Sequence, residues 1–252
     1  MKTNVFIQAR MSSSRLPGKV LETIVGKPML LHIVERLKHA TLVDKIVVLT
    51  SDEQSDDIIK DMCENHSIDC FRGSLNNVLE RFFLASEDFP ADNIVRITAD
   101  CPLVDSQLVD EIIAKHINGN ADFTSNCHPS MYPDGLDVEV LKLEALHKAQ
   151  LKASTSHQKE HVTPYIFTHP EQFICINFNA PKLIPTYRLT VDHPEDLTLV
   201  RKIYGALYES NSNFNLELIL KLLEQNPMWL ESNTQYARNE ALQRHLTRDL
   251  DI

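Results

Sequence analysis

Strand-length apolar runs that alternate with amphipathic helical stretches constrain this chain more than any other feature. Runs at 4–7, 45–50, 69–71 and 94–98 are rich in Val, Ile and Phe, and helical periodicity follows at 28–39, 55–65, 76–87 and 106–118. Strands separated by helices join one sheet through crossovers, so they run parallel and helices cover both faces. The expected fold class is α/β, a mostly parallel central sheet flanked by helices. Leu30, Ile33, Val34 and Leu37 share one side of the first helix, Pro28 suits its first turn, and Ser106 can cap the fourth. Residues 119–180 are less regular, with strand-like pieces at 122–125, 136–140 and 173–178 and a helix at 141–152. They read as a small inserted lobe within a single domain spanning 1–227. A strand at 187–191 returns to the sheet, helices follow at 195–208 and 216–225, and 228–252 reads as a polar C-terminal tail.

The loop after the first run, QARMSSSRLPGKVL at 8–21, sets Arg10, Arg15 and Lys19 among Ser, Gly and Pro. A loop leaving the carboxyl end of a parallel strand presents backbone N–H groups and cations where phosphate oxygens can sit. Arg offers a bidentate fork there and Lys a point charge. The loop therefore reads as a polyphosphate cradle; a solvated turn bearing three surface cations is the other reading of the same letters. With 35 acidic and 25 basic residues the net charge is −10, so these clustered cations stand out, and nucleic-acid binding through a broad basic face is not expected. No G-x-x-x-x-G-K-[ST] follows the first strand and no G-x-G-x-x-G opens a helix, which argues against P-loop and dinucleotide chemistry. No apolar leader precedes the first strand and no run of 18 apolar residues follows, so a cytoplasmic protein without membrane contact is expected. Cys63, Cys70, Cys101, Cys127 and Cys175 lack the C-x-x-C spacing of a metal or redox site and read as buried free thiols.

Two aspartates at strand ends supply what the loop lacks. Asp100 follows the strand at 94–98 and Asp192 the strand at 187–191, so both carboxylates can reach the edge that bears the loop. Mg²⁺ is commonly held by one or two carboxylates together with phosphate oxygens and water. Each aspartate taken singly also fits a cap, Asp192 for the helix that Pro194 and Glu195 begin.

QARMSSSRLPGKVL (8–21), RITADCPLVD (96–105), YPDGLDVEVL (132–141), EHVTPYIF (160–167) and RLTVDHPEDLTLVR (188–201) resemble, in this order, the cytidylyltransferase family of sugar-acid activating enzymes. The branch named for spore coat polysaccharide biosynthesis is nearest; CMP-octulosonate and CMP-acylneuraminate synthetases are more distant. The resemblance runs from residue 4 to about 205, and the R-x-x-x-x-R-L-P-G-K spacing is its most specific part. It implies a nucleotide-diphospho-sugar transferase fold, Rossmann-like, in a homodimer. It also implies a Mg²⁺-dependent reaction in which CMP passes from CTP to an octulosonic or nonulosonic sugar acid for surface polysaccharide, with release of pyrophosphate.

By the same resemblance Ala9, Arg10, Ser13, Arg15, Lys19, Arg72 and Gly73 hold the nucleotide, Asp100 and Asp192 hold Mg²⁺, and Arg10, Arg15, Lys19 and Asp100 serve catalysis. Arg81 joins the nucleotide contacts unless it makes a surface ion pair. Tyr132, Asp134, Asp137, Glu160 and His161 are the candidate acceptor contacts; a plain turn at Asp134-Gly135 and a core or helix-terminal role for His161 are the alternatives. In-line attack on the α-phosphorus asks the protein mainly for positioning and charge neutralisation, so no general base is assigned. Ala99, where many of the branch have Gly, and the following Asp100-Cys101-Pro102 depart from the relatives' patterns, so their sugar specificity does not transfer. Another nucleotidyltransferase with a different NTP or acceptor is one alternative activity, and a nucleotide-sugar-dependent glycosyltransferase of the same fold is the other. The latter is disfavoured because such enzymes often use an acidic D-x-D pair, whereas here Asp105 follows Asp100 by five positions.

Overall fold

The computed structural model describes residues 1–180 and 184–238. β1 (Thr3–Gln8) leads through a small ribbon of β2 (Thr23–Ile24) and β3 (Lys27–Pro28) into α1 (Met29–Leu37). β4 (Lys45–Ser51), α2 (Asp57–Asn65), β5 (Asp69–Gly73), α3 (Val78–Asp88), β6 (Asn93–Thr98) and α4 (Ser106–Asn118) continue the alternation. β7 (Phe123–Ser125), β8 (Glu139–Lys142), α5 (Leu143–Lys152), α6 (Ser156–His161), α7 (Pro164–Phe167), β9 (Cys175–Asn177), α8 (Pro194–Leu207) and α9 (Leu216–Gln225) complete it.

The seven-stranded sheet has the order β5-β4-β1-β6-β8-β7-β9, with β5, β4, β1 and β6 parallel and β8 antiparallel to β6. The expected mostly parallel sheet is thus present. The chain winds outward from β1 to β4 and β5 and then returns to β6 on the other side of β1. That switch opens a crevice at the carboxyl ends of β1 and β6, the usual ligand position in such sheets.

Residue alternation sorts the strands between two cores. Val5, Ile7, Val95, Ile97, Val138 and Val140 pack on one face under α1, α4, α8 and α9. Phe6, Leu49, Ile94, Phe123 and Leu141 pack on the other under α3, α5 and α7. Both faces are covered, which is why these strands read as nearly continuous apolar runs.

Several expected elements differ. Residues 187–191 form no strand; Arg188 makes only an isolated parallel bridge to Asp134. The backbone divides its hydrogen bonds between two segments, Leu189 N–H to the Asp134 carbonyl at 2.7 Å and Val191 N–H to the Asp100 carbonyl at 2.8 Å, so no single ladder grows. Gly135, at φ +97°, lets the two segments meet; a Cβ there would stand 2.4 Å from the Thr190 nitrogen. Asp105, rather than Ser106, caps α4 by accepting from the N–H groups of Gln107 and Leu108. The residues expected as an inserted lobe, 119–180, place β7, β8 and β9 in the main sheet and pack α5 and α6 against α3. Of the expected tail, Asn233 and Arg238 bond back to the body, Asn233 to the Arg188 carbonyl and Arg238 to the Tyr132 carbonyl; 239–252 lie outside the described residues. Cys63 and Cys101 are buried thiols as expected, whereas Cys175 is exposed. Among the described residues no helix is long and apolar enough to cross a membrane.

Candidate active site

The loop that follows β1 is folded by its own backbone and by one buried carboxylate. The Met11 carbonyl accepts from the N–H groups of Ser13 and Gly18, both at 2.9 Å. Gly18 takes φ +73°, a left-handed turn that starts the single helical turn Lys19–Leu21 and directs Lys19 inward. Asp56, fully buried, accepts from Met11 N–H at 2.8 Å, Thr50 Oγ1 at 3.0 Å and Ser51 Oγ at 2.5 Å, which ties the loop to the end of β4. These bonds outweigh the opposing effect of burial and hold the Asp56 carboxyl below its ordinary range.

Lys19 is the centre of the site. Its Nζ donates to Asp100 Oδ2 at 3.0 Å, to Asp192 Oδ1 at 2.8 Å and to the Val191 carbonyl at 2.8 Å. Arg15 Nη2 lies 2.7 Å from the same Asp192 oxygen. Arg188 holds the other Asp192 oxygen at 3.1 Å and also grips Asp196, fully buried, and Asp134. Thr98 Oγ1 donates to Asp100 Oδ1 at 2.5 Å. Burial pushes both carboxyls up, but the Lys19 charge outweighs it, with Thr98 adding for Asp100 and Arg15 for Asp192; both stay below the ordinary range. Burial lowers the Lys19 ammonium while Asp100 and Asp192 raise it, with a net rise. The two aspartates are therefore ionised oxygen donors that converge on one cationic point, a donor set that suits Mg²⁺.

This cluster forms one wall of a cavity of about 510 Å³. Arg10, Ser13, Arg15, Lys19, Asp100, Asp134, Asp137, Glu160, His161 and Asp192 all line it, so the structure brings together most residues singled out by sequence. Arg10 and Glu160, both on the cavity wall, stand 3.7 Å apart. Burial, with Asp137 nearby, raises the Asp134 carboxyl to about 7 in spite of Arg238 and Arg188. Burial also raises Asp137, although Arg238 bonds it. His157 and His161 sit one helical turn apart on α6 with ring centres 4.9 Å apart, yet no group of three metal-ligating side chains occurs among the described residues.

The structure leaves some candidates off the cavity wall. Ala9 is buried and its N–H bonds the Leu49 carbonyl at 2.9 Å. The Tyr132 ring is buried and stacks on Phe178, 6.2 Å between centroids. Arg72 bonds the Ser51 and Glu53 carbonyls at 2.9 and 3.0 Å and pairs with Asp57 at 2.7 Å, all on the turn between β4 and α2. Gly73 packs against the stem of Arg81. Arg81 is fully buried, so the surface ion pair considered for it is not formed.

Other cavity residues were missed. Arg96 pairs with its cross-strand neighbour Glu139 and donates to Gln8 Oε1 at 3.1 Å. Thr163 Oγ1 donates to Glu139 at 2.7 Å, and His128 stacks on Phe167 with centroids 4.0 Å apart. Burial opposes ionisation of Glu139, but Arg96, His128 and Thr163 overcome it and bring its carboxyl to about 2. The signal was present in the letters: Arg96 and Thr98 share a face with Ile94 in a strand covered on both sides, and a polar residue at such a position needs a partner.

The cytidylyltransferase family model matches residues 4–239. The chain belongs to the cytidylyltransferase family. It is 35% identical over 228 residues to the spore coat polysaccharide biosynthesis protein SpsF of Bacillus subtilis, covering 88% of this chain and 93% of that one. The 3-deoxy-manno-octulosonate cytidylyltransferase of Geobacter metallireducens is 33% identical over 114 residues, 45% of this chain and 44% of that one. A solved cytidylyltransferase from Leptospira borgpetersenii superposes with a TM-score of 0.87 at 31% identity, covering 94% of this chain and 100% of that chain. The protein is accordingly a nucleotidyltransferase enzyme with the fold of its family.

Proposed function

We propose that this cytidylyltransferase transfers CMP from CTP to a hydroxyl of a sugar acid of octulosonic or nonulosonic type, as a step in surface polysaccharide synthesis. The observation that carries this reading is the convergence of Arg15, Lys19, Asp100 and Asp192 on one wall of the 510 Å³ cavity. The acceptor oxygen forms a bond to the α-phosphorus, the bond from that phosphorus to the bridging oxygen breaks, pyrophosphate leaves, and the hydroxyl proton is released. Arg15 and Lys19 would stabilise the charge that grows on pyrophosphate. Asp100 and Asp192 would hold Mg²⁺, which when bound supplies charge neutralisation of the triphosphate. Arg188 keeps Asp192 in place, and Asp134, Asp137, Glu160 and His161 offer the acceptor hydrogen-bonding groups along the rest of the cavity. The homodimer and the cytoplasmic location implied by the resemblance belong to this proposal too.

Pyrophosphate release from CTP, UTP, ATP and GTP, with Mg²⁺ and a panel of octulosonic and nonulosonic acids, tests it. Release with CTP and one acid supports the proposal. Release with another nucleotide alone, or none from a folded protein that no nucleotide protects against heat, sinks it. EDTA should abolish turnover and the protection that CTP confers. It should leave the melting temperature of the nucleotide-free protein unchanged, because Lys19 already bridges the two aspartates.

A further inference from the structure

The stretch from Asn233 to Arg238 bonds back to the body at two places, one that serves Asp192 and one that serves Asp137. Asn233, buried, donates from Nδ2 to the Arg188 carbonyl and to Asp196 Oδ1, both at 3.0 Å. Tyr236 lies flat on His193 ahead of α8, with ring centres 3.7 Å apart, and the Ala237 carbonyl accepts from Arg188 Nη1 at 3.0 Å. Arg238 then reaches the segment at 132–137. Its Nη1 donates to the Tyr132 carbonyl at 2.7 Å and its Nη2 to Asp137 Oδ1, so one guanidinium spans both ends of that segment.

Asp137 needs that hold more than its neighbours do. Asp134 is anchored through its backbone, its N–H to the Tyr187 carbonyl at 2.9 Å and its carbonyl to Leu189 N–H at 2.7 Å. Gly135, at φ +97°, turns the chain away from that anchor. Beyond it, Arg238 is the one side chain among the described residues that bonds the Asp137 carboxylate. Asp137 lines the cavity, whereas Arg238 does not. The bond occupies Oδ1 and leaves Oδ2 to accept from a group inside the cavity. Burial and the like charges of Glu139 and Asp100 push the Asp137 carboxyl up, and Arg238 is the charge that opposes them; it opposes the rise at Asp134 as well. Arg238 thus fixes the direction of Asp137 and favours its ionised form, the form that accepts hydrogen bonds most strongly.

We propose that Arg238 is a positioning residue for the acceptor: it aims Asp137 into the cavity to accept a hydrogen bond from a hydroxyl of the incoming sugar acid. The two places of attachment divide the labour. Asn233 and the Ala237 carbonyl brace Arg188, and through it Asp192 on the nucleotide side, while Arg238 braces the acceptor side. A change at Arg238 is therefore felt in acceptor binding and not in CTP binding. This assignment rests on the reading above in which Asp137 faces the sugar acid.

The test uses the full chain with Mg²⁺ and reads KM separately for CTP and for each octulosonic or nonulosonic acid that wild type turns over, with circular dichroism to check folding. Arg238→Met should raise the KM for the acid about 10- to 100-fold, the size of a lost hydrogen bond to a charged group, and leave the KM for CTP within about twofold. Arg238→Lys keeps a charge beside Asp137 and should recover most of that loss. In an Asp137→Asn background, Arg238→Met should add less than about threefold, because the carboxylate it acts through is already gone. An unchanged KM for the acid in folded Arg238→Met overturns the assignment. So do equal rises in both KM values, or losses that multiply in the double variant, either of which would make Arg238 a general support of the fold. If Arg238→Met does not fold, Arg238→Gln, which keeps donors without the charge, is read by the same criteria. Wild type that releases no pyrophosphate with any of the acids overturns the acceptor reading and this assignment together, whereas turnover that Arg238→Met leaves intact overturns the assignment alone.

Discussion

Asp100 and Asp134 show how two carboxylates lining one cavity are driven in opposite directions. Asp100 bonds Lys19 and Thr98 and remains ionised, whereas Asp134 has one long contact to Arg188, 3.3 Å, which burial and Asp137 outweigh. Asp100→Asn keeps the shape and removes the charge; turnover should fall by about 10²-fold or more with the fold intact, as circular dichroism and a steady-state assay would show. An unchanged rate would end the metal assignment. For Asp134 the sign follows from proton uptake. Its folded pKa of about 7 lies above the ordinary value, so between about pH 4 and 7 the native state binds more protons than the unfolded state, and stability from this group falls as pH rises. Asp134→Asn should therefore gain about 1–3 kcal/mol over wild type at pH 8 and little at pH 4, measured by urea unfolding at both. Asp100 was legible in the sequence because it ends an apolar strand. The raised Asp134 was not, because burial and the neighbouring Asp137 act only once the segment is folded.

At the scale of elements, the first helix and β1, β4, β5 and β6 were readable because each carries its own period. The caps and the irregular segments were less so. Asp105 Oδ1 accepts from Gln107 and Leu108, while Oδ2 takes the buried N–H of Leu216 at 2.7 Å and so pins α9 to the start of α4. Ser106 and Asp105 are adjacent letters with similar cap preference, and only the arrival of Leu216 from 111 positions away distinguishes them. Asp105→Ala should cost about 2–4 kcal/mol, a lost cap plus an orphaned buried N–H, whereas Ser106→Ala should cost about 0.5 kcal/mol or less. Chemical denaturation of the two variants checks the difference. The segment at 187–191 shows the reverse error: its alternation is strand-like, but its backbone partners are the carbonyls of Asp134 and Asp100, which belong to two different parts of the chain.

For the whole molecule, Arg188 joins what the sequence keeps apart. It bonds Asp196 at 2.9 Å, Asp192 at 3.1 Å and Asp134 at 3.3 Å, and its carbonyl accepts from Asn233 at 3.0 Å. Arg188→Met should destabilise by about 3–5 kcal/mol, since it strands buried carboxylates, and should weaken CTP binding because Asp192 loses its hold. Thermal melting with and without CTP and Mg²⁺ reads both effects; a variant that melts like wild type would deny Arg188 this role. The sequence by itself determined the mostly parallel sheet, the cation-bearing loop after β1 and the place of Asp100 just beyond the end of β6, because period, chain direction and local composition are properties of neighbouring residues. Tertiary structure alone decided that Lys19 bridges Asp100 and Asp192, that Arg96 meets Glu139 across β6 and β8, and that Arg81 is buried with Nε and Nη2 unpartnered among the described residues. Each of those outcomes depends on strand order and on the loss of water around a charge, which distant segments impose only when they pack.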